Sequence, residues 1–121
     1  MRKAFNPNIV IVKLGTNDSK THNWAHGADE YRQSMQVMID TLKALPSKPK
    51  IYLCSPIPAF KDTWTISDSV IVNGEMPIIK KLAKKNKCQF IDLHTSYTYG
   101  DMMLNDGIHP NAKGAAKMAD I

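Results

Sequence analysis

The stretch Asn8-Ile9-Val10-Ile11-Val12-Lys13-Leu14-Gly15-Thr16-Asn17-Asp18 decides the fold. Branching at Cβ restricts the rotamers of Ile9 to Val12 and suits them to a pleated surface. The run lacks polar alternation and stops at Gly15. It therefore predicts a strand over 8–14 buried on both faces, the mark of a parallel sheet. Parallel strands need crossovers, and the following sequence supplies them. Tyr31, Met35, Met38, Ile39, Leu42 and Leu45 recur at helical spacing between Asp29 and Leu45, and Pro46 and Pro49 end that helix. Residues 50–55 read as a second strand closed by Pro56 and Pro58. Ser67 or Asp68 is placed to cap a helix running toward Lys87, with a kink or late start near Glu75 imposed by Gly74 and Pro77. Residues 89–93 form a third strand, and Asn111 caps a last helix over 112–121. The order β-α-β-α-β-α implies a parallel sheet with right-handed crossovers, hence an α/β fold.

The chain has 121 residues, a length that fits one domain, and no repeat, low-complexity tract or linker divides it. Its composition, 43% hydrophobic and 22% charged, excludes global disorder. No apolar run approaches a membrane span, so no membrane partner is expected. Residues 1–7 show no apolar leader, and no secretory signal is read there. The net charge of +5 raises the question of nucleic acid. Much of it lies in Lys80, Lys81, Lys84, Lys85 and Lys87, at helical spacing and without interleaved aromatics. A solvated helix face accounts for it, and no nucleic-acid partner is expected. Cys54 and Cys88 have no metal spacing and read as buried thiols.

In open α/β sheets, sites form beyond the carboxyl ends of the strands. Two segments would meet there: Gly15-Thr16-Asn17-Asp18 after the first strand, and Asp106-Gly107-Ile108-His109-Pro110 after the third. Across a glycine turn, Asp106 can fold back onto His109, accept the Nδ1 proton and leave Nε2 as a base. Equally, Asp106 can cap the turn and His109 the next helix. Asn17 can either satisfy the turn backbone or aim its amide at a developing oxyanion.

Together, Gly-Thr-Asn-Asp after a buried strand and Asp-Gly-Ile-His-Pro-Asn near the last helix resemble the SGNH, or GDSL-type, hydrolases. The resemblance covers the whole chain and is strongest toward bacterial carbohydrate O-acetylesterases of the sialate or xylan type. It implies a three-layer flavodoxin-like fold, here truncated to about three strands, and a serine esterase acting on acylated, chiefly O-acetylated, carbohydrate without a cofactor. It also implies catalytic roles for Asn17, in the oxyanion hole, and for Asp106 and His109, the acid and base of a triad. Trp24, Trp64 and Asp18 are expected on the substrate side, although Trp24 and Trp64 can equally be packing residues. His22 and His26 stand at i, i+4, but no carboxylate at a matching spacing joins them, and no metal site is expected.

One departure from the family pattern is large. The nucleophilic serine of the family lies in a Gly-Asp-Ser block, and no Gly-Asp-Ser occurs in this sequence. Residues 1–121 therefore read as a partial domain lacking the nucleophile and oxyanion-glycine blocks. Ser19 and Ser55 are near the site edge but outside the family pattern. Beside the esterase reading stand a non-catalytic carbohydrate-binding remnant and a structural fragment that associates through its sheet edge. A homo-oligomer joined at Ile9 to Leu14 is expected on topological grounds. Relatives of this kind are often exported, secreted or periplasmic, and the sequence itself leaves the compartment open.

Overall fold

The computed structural model describes residues 6–121. Its elements run β1 (Ile9–Val12), α1 (Thr21–Lys43), β2 (Lys50–Cys54), α2 (Asp68–Val70), α3 (Met76–Asn86), β3 (Gln89–Ile91), α4 (Leu93–Ser96) and α5 (Ala112–Ala119). The three strands make one parallel sheet in the order β1-β2-β3, with Val12 opposite Leu53 and Leu53 opposite Phe90. The α/β architecture expected from the alternation is the one present.

The burial of β1 differs from expectation. Val10 and Val12, with Ile51 and Leu53, face α1 and α3 and share a core with Tyr31, Met35, Ile39, Leu42, Ile79 and Leu82. Ile9 and Ile11 point to the opposite face and are 60% and 65% exposed. On that face the apolar cluster of Cys54, Ile57, Leu93 and Tyr97, backed by Ile91 and Met118, covers the ends of β2 and β3. β1 is therefore buried on one face, not two. A β-branched run sets strand preference, but what covers the strand is decided by other elements.

Helix α1 starts at Thr21 rather than near Asp29. The polar residues Thr21, His22 and Asn23 hide its first turn, yet Trp24 continues the apolar stripe and meets Tyr31 edge-to-face at 5.8 Å. Residues 21–28, outside the helix expected from the spacing, are thus helical.

The second helix begins where expected. The Ser67 hydroxyl accepts the Val70 N–H at 3.2 Å and caps α2. The late start near Glu75 is the alternative present: one π turn over Ile71–Glu75 carries the chain into α3, which begins at Met76. Pro77 then falls in the first turn of α3, where a missing N–H forfeits little. Lys87, in the left-handed region at φ 57, closes α3. The Asn111 side chain caps α5 by accepting the Gly114 N–H at 2.9 Å. Cys54 is buried and Cys88 half-buried, and burial raises both thiol pKa values. No helix among the described residues is long and apolar enough to cross a membrane.

Candidate active site

The chain leaves β1 through Gly15, whose φ of 138° lies in a region that disfavours a Cβ. A 3-10 turn over Asn17–Ser19 follows. The turn closes on itself: the Ser19 N–H donates to the Gly15 carbonyl at 3.0 Å, and the Ser19 hydroxyl donates to the Thr16 carbonyl at 2.6 Å. The backbone carbonyl of Asn17 accepts from the Lys20 N–H at 3.2 Å and the Asn23 amide at 3.1 Å. The turn thus uses the backbone of Asn17, while the residue itself is exposed at the edge of the sheet.

The opposite wall is built by Asp106. Its Oδ1 accepts the backbone N–H of Ile108 at 2.8 Å and of His109 at 2.9 Å. Its Oδ2 stands 2.7 Å from His109 Nδ1. Turn capping and imidazole contact, alternatives in the sequence, are met by two oxygens of one carboxylate. Gly107, at φ 69°, gives the turn its sharpness. The hydrogen bond to the His109 ring, then those to the His109 and Ile108 backbone, lower the Asp106 carboxyl to about 2.

The stretch between β2 and α2 braces this loop. The Phe60 N–H donates to the Gly107 carbonyl at 2.9 Å, Lys61 Nζ to the Asn105 carbonyl at 2.8 Å, and the Thr63 hydroxyl to the Asp106 carbonyl at 2.6 Å. Ile66 pairs in an isolated bridge with Lys20, just after the Asn17 turn. Trp64, at φ 55°, is 58% exposed, with its ring centroid 6.4 Å from that of His109. The positive φ of a bulky residue is a strain that the surrounding bonds sustain. This bracing was not read from the sequence, because side-chain bonds to distant carbonyls leave no periodic signal.

Asn17, Asp18, Trp64 and His109 line one cleft of about 370 Å³, with Asp106 behind His109. Trp24 does not line it; it packs on Tyr31, beside the core. A hollow of about 450 Å³ opens near Asp18 and Tyr31, but neither His109 nor Asp106 lines it. His22 lies at its Nδ1 3.4 Å from the Thr65 hydroxyl, and the side chain of His26 lies outside the described residues. No group of three His, Cys, Asp or Glu side chains suited to a metal occurs among the described residues.

The two serines near the edge are structural. Ser19 is fully buried and donates to Thr16. Ser55 is fully buried, donates to Asp92 Oδ1 at 3.4 Å and accepts the His94 N–H at 3.0 Å. His94 in turn meets Asp68 Oδ1 through Nε2 at 2.9 Å, tying α4 to α2.

An asparagine turn and an Asp–His pair thus stand together at the carboxyl edge of a parallel sheet. The model of the GDSL-like lipase/acylhydrolase family matches residues 1–117, and the chain belongs to that family. It is 46% identical over 136 residues to an acetylxylan esterase of Xylanibacter ruminicola, a match covering 98% of this chain and 28% of that protein. It is 27% identical over 120 residues to a multidomain esterase of Ruminococcus flavefaciens, covering 96% of this chain and 15% of that protein. A crystal structure of an acetyl xylan esterase superposes with a TM-score of 0.70 at 28% identity, over 95% of this chain and 67% of that one. A GDSL-like lipase of Bacteroides thetaiotaomicron superposes at 0.73 with 25% identity, over 94% and 59%. The chain thus spans under a third of the length of the curated relatives it matches.

Because the folded Asp106 value lies below its ordinary 3.8, the stability this carboxylate contributes is present above that value and lost as pH falls toward about 2. Urea midpoints of wild type and Asp106→Asn should therefore differ at neutral pH and converge through that window. A gap that stays constant would show that the carboxylate charge does not hold the turn.

Proposed function

We propose that this chain supplies the oxyanion donor and the acid–base pair of a carbohydrate O-acetylesterase. The observation that carries the reading is the shared cleft of Asn17 and His109, with Asp106 on the far nitrogen of the imidazole. The 46% identity to an acetylxylan esterase supports an O-acetylated carbohydrate as substrate. A seryl hydroxyl attacks the ester carbonyl while His109 Nε2 takes its proton. The Asn17 side-chain amide donates to the tetrahedral oxyanion. Collapse expels the sugar alkoxide, which takes the proton back from His109. Water, deprotonated by His109, then cleaves the acyl-serine and releases acetate. Asp106 keeps the proton on Nδ1 and stabilises the imidazolium. Trp64 offers an exposed aromatic face to the sugar ring, and Asp18 accepts from a sugar hydroxyl.

The nucleophile is not Ser19 or Ser55, which are buried and bonded, and the sequence contains no Gly-Asp-Ser. On this reading the attacking serine belongs to a Gly-Asp-Ser segment that residues 1–121 do not contain, and these residues alone are expected to be inactive. On p-nitrophenyl acetate and acetylated xylan, the chain alone should match buffer, while the chain joined to a Gly-Asp-Ser-bearing segment should turn over. His109→Ala in the joined protein should lose activity by roughly a million-fold, the scale seen when a triad member is removed from a serine protease. Turnover by the chain alone that vanishes in Ser19→Ala or Ser55→Ala would overturn this reading.

We also propose that the chain self-associates along β1. Among the described residues β1 pairs with β2 alone, so its other edge leaves backbone groups unpaired, while Ile9 and Ile11 on the adjoining face and Leu14 just past the strand are exposed. Such an edge is a template for another strand. A monomer with residues 1–7 folded over that edge is the alternative, and residues 1–5 lie outside the described residues. Light scattering across concentrations should give a dimer or larger species that Ile11→Lys shifts toward monomer. A monomer at every concentration would contradict it.

A further inference from the structure

Glu75 is fully buried, and among the described residues neither of its carboxyl oxygens has a hydrogen-bond partner. It is not part of the cleft wall and has no role in the chemistry above. The π turn Ile71–Glu75 sends it inward, against the end of β1. A Cβ built on Gly15 would stand 2.7 Å from Glu75 Oε1 and 3.0 Å from its Cδ. The same point is 2.9 Å from the Tyr31 hydroxyl, which donates to the Leu14 carbonyl at 2.8 Å. The carboxyl thus occupies the space a side chain at Gly15 would take. Together with the Tyr31 phenol it presses on the two residues that launch the Asn17 turn.

We infer that Glu75 is held as a neutral carboxylic acid and is a positioning residue for the Gly15–Asp18 turn, and through it for the Asn17 amide. What Asn17 does for the reaction rests on the esterase reading; where Asn17 sits does not. An ionised carboxylate without a partner is far costlier to bury than its neutral form. The titratable groups that face it are Asp18 and Tyr31, and the first makes ionisation harder still. Asp18, on the turn itself, supplies the opposing negative charge, whereas the Tyr31 phenol from α1 stays neutral. Burial first, and then Asp18, push the Glu75 carboxyl up to about 8. Burial, Glu75 and Asp18 likewise raise the Tyr31 phenol. Ionising Glu75 would place a new negative charge beside Asp18 and against Gly15, displacing the turn.

The test is NMR on the whole chain from about pH 5 to about pH 10, a span that separates an ordinary carboxylate from this one. The Glu75 Cδ shift should titrate near 8, and the amides of Gly15, Thr16 and Asn17 should move with the same midpoint. In Glu75→Gln those amides should stay at their low-pH wild-type positions throughout. The folded value exceeds the ordinary 4.5, so stability should also fall as pH rises from 4.5 to about 8, and Glu75→Gln should remove that fall. A Glu75 midpoint in the ordinary carboxylate range, or turn amides that keep their step in Glu75→Gln, would overturn the inference. If the glutamine variant does not fold, the wild-type titration alone decides. An inactive esterase assay on the chain joined to a Gly-Asp-Ser-bearing segment, with these shifts intact, would instead remove the catalytic reading and leave the positioning role.

Discussion

The carboxylate of Asp106 is the interaction on which the candidate site depends. One oxygen holds two backbone N–H groups and shapes the turn; the other meets the imidazole of the residue that turn presents. Charge-assisted bonds of this kind are among the stronger ones available to a protein. Remove the carboxylate and the turn loses its closure at the moment the ring loses its orientation. The brace from residues 60–63 ends on the same loop, so the backbone around Asp106 is fixed from both sides.

The sheet explains why so short a loop can meet the Asn17 turn. Parallel strands end at a common edge, and the right-handed crossovers through α1 and the α2–α3 helix keep β1, β2 and β3 in sequence order. The packed face under α1 and α3 sets the position of Gly15, through Tyr31 and Glu75. The opposite face is covered over β2 and β3 and bare at β1, where Ile9 and Ile11 meet solvent. Among the described residues the fold is packed behind its cleft and unpaired along the β1 edge.

Much of this was legible in the residues. Strands are announced by short apolar β-branched runs stopped by Gly15 or Pro56, and caps by Ser67 and Asn111, because both signals are local. The Asp106–His109 pair was legible as two alternatives: the Asp106 carboxylate both caps the turn and meets the ring, while Asn111, not His109, caps the last helix. The start of α1 was not legible, since its first residues are polar and only Trp24 extends the stripe. The one-sided burial of β1 was not legible either, because identical side chains suit either environment. Trp24, expected on the substrate side, belongs to helix packing, while Trp64 stands beside His109 because the brace holds it there. Glu75 left no signal at all: a glutamate in a helical stretch reads as solvated, and only the π turn and the close approach of Gly15 reveal it as buried.

For His109 to act as the proposed base, Asp106 must fix its proton on Nδ1 and leave Nε2 free. The ring nitrogen shifts of His109 in its neutral form, observed by long-range nitrogen–proton correlation, test it directly. Wild type should show a protonated Nδ1 and an unprotonated Nε2, with that preference lost in Asp106→Asn. A neutral ring carrying its proton on Nε2, or one indifferent to Asp106, would contradict it.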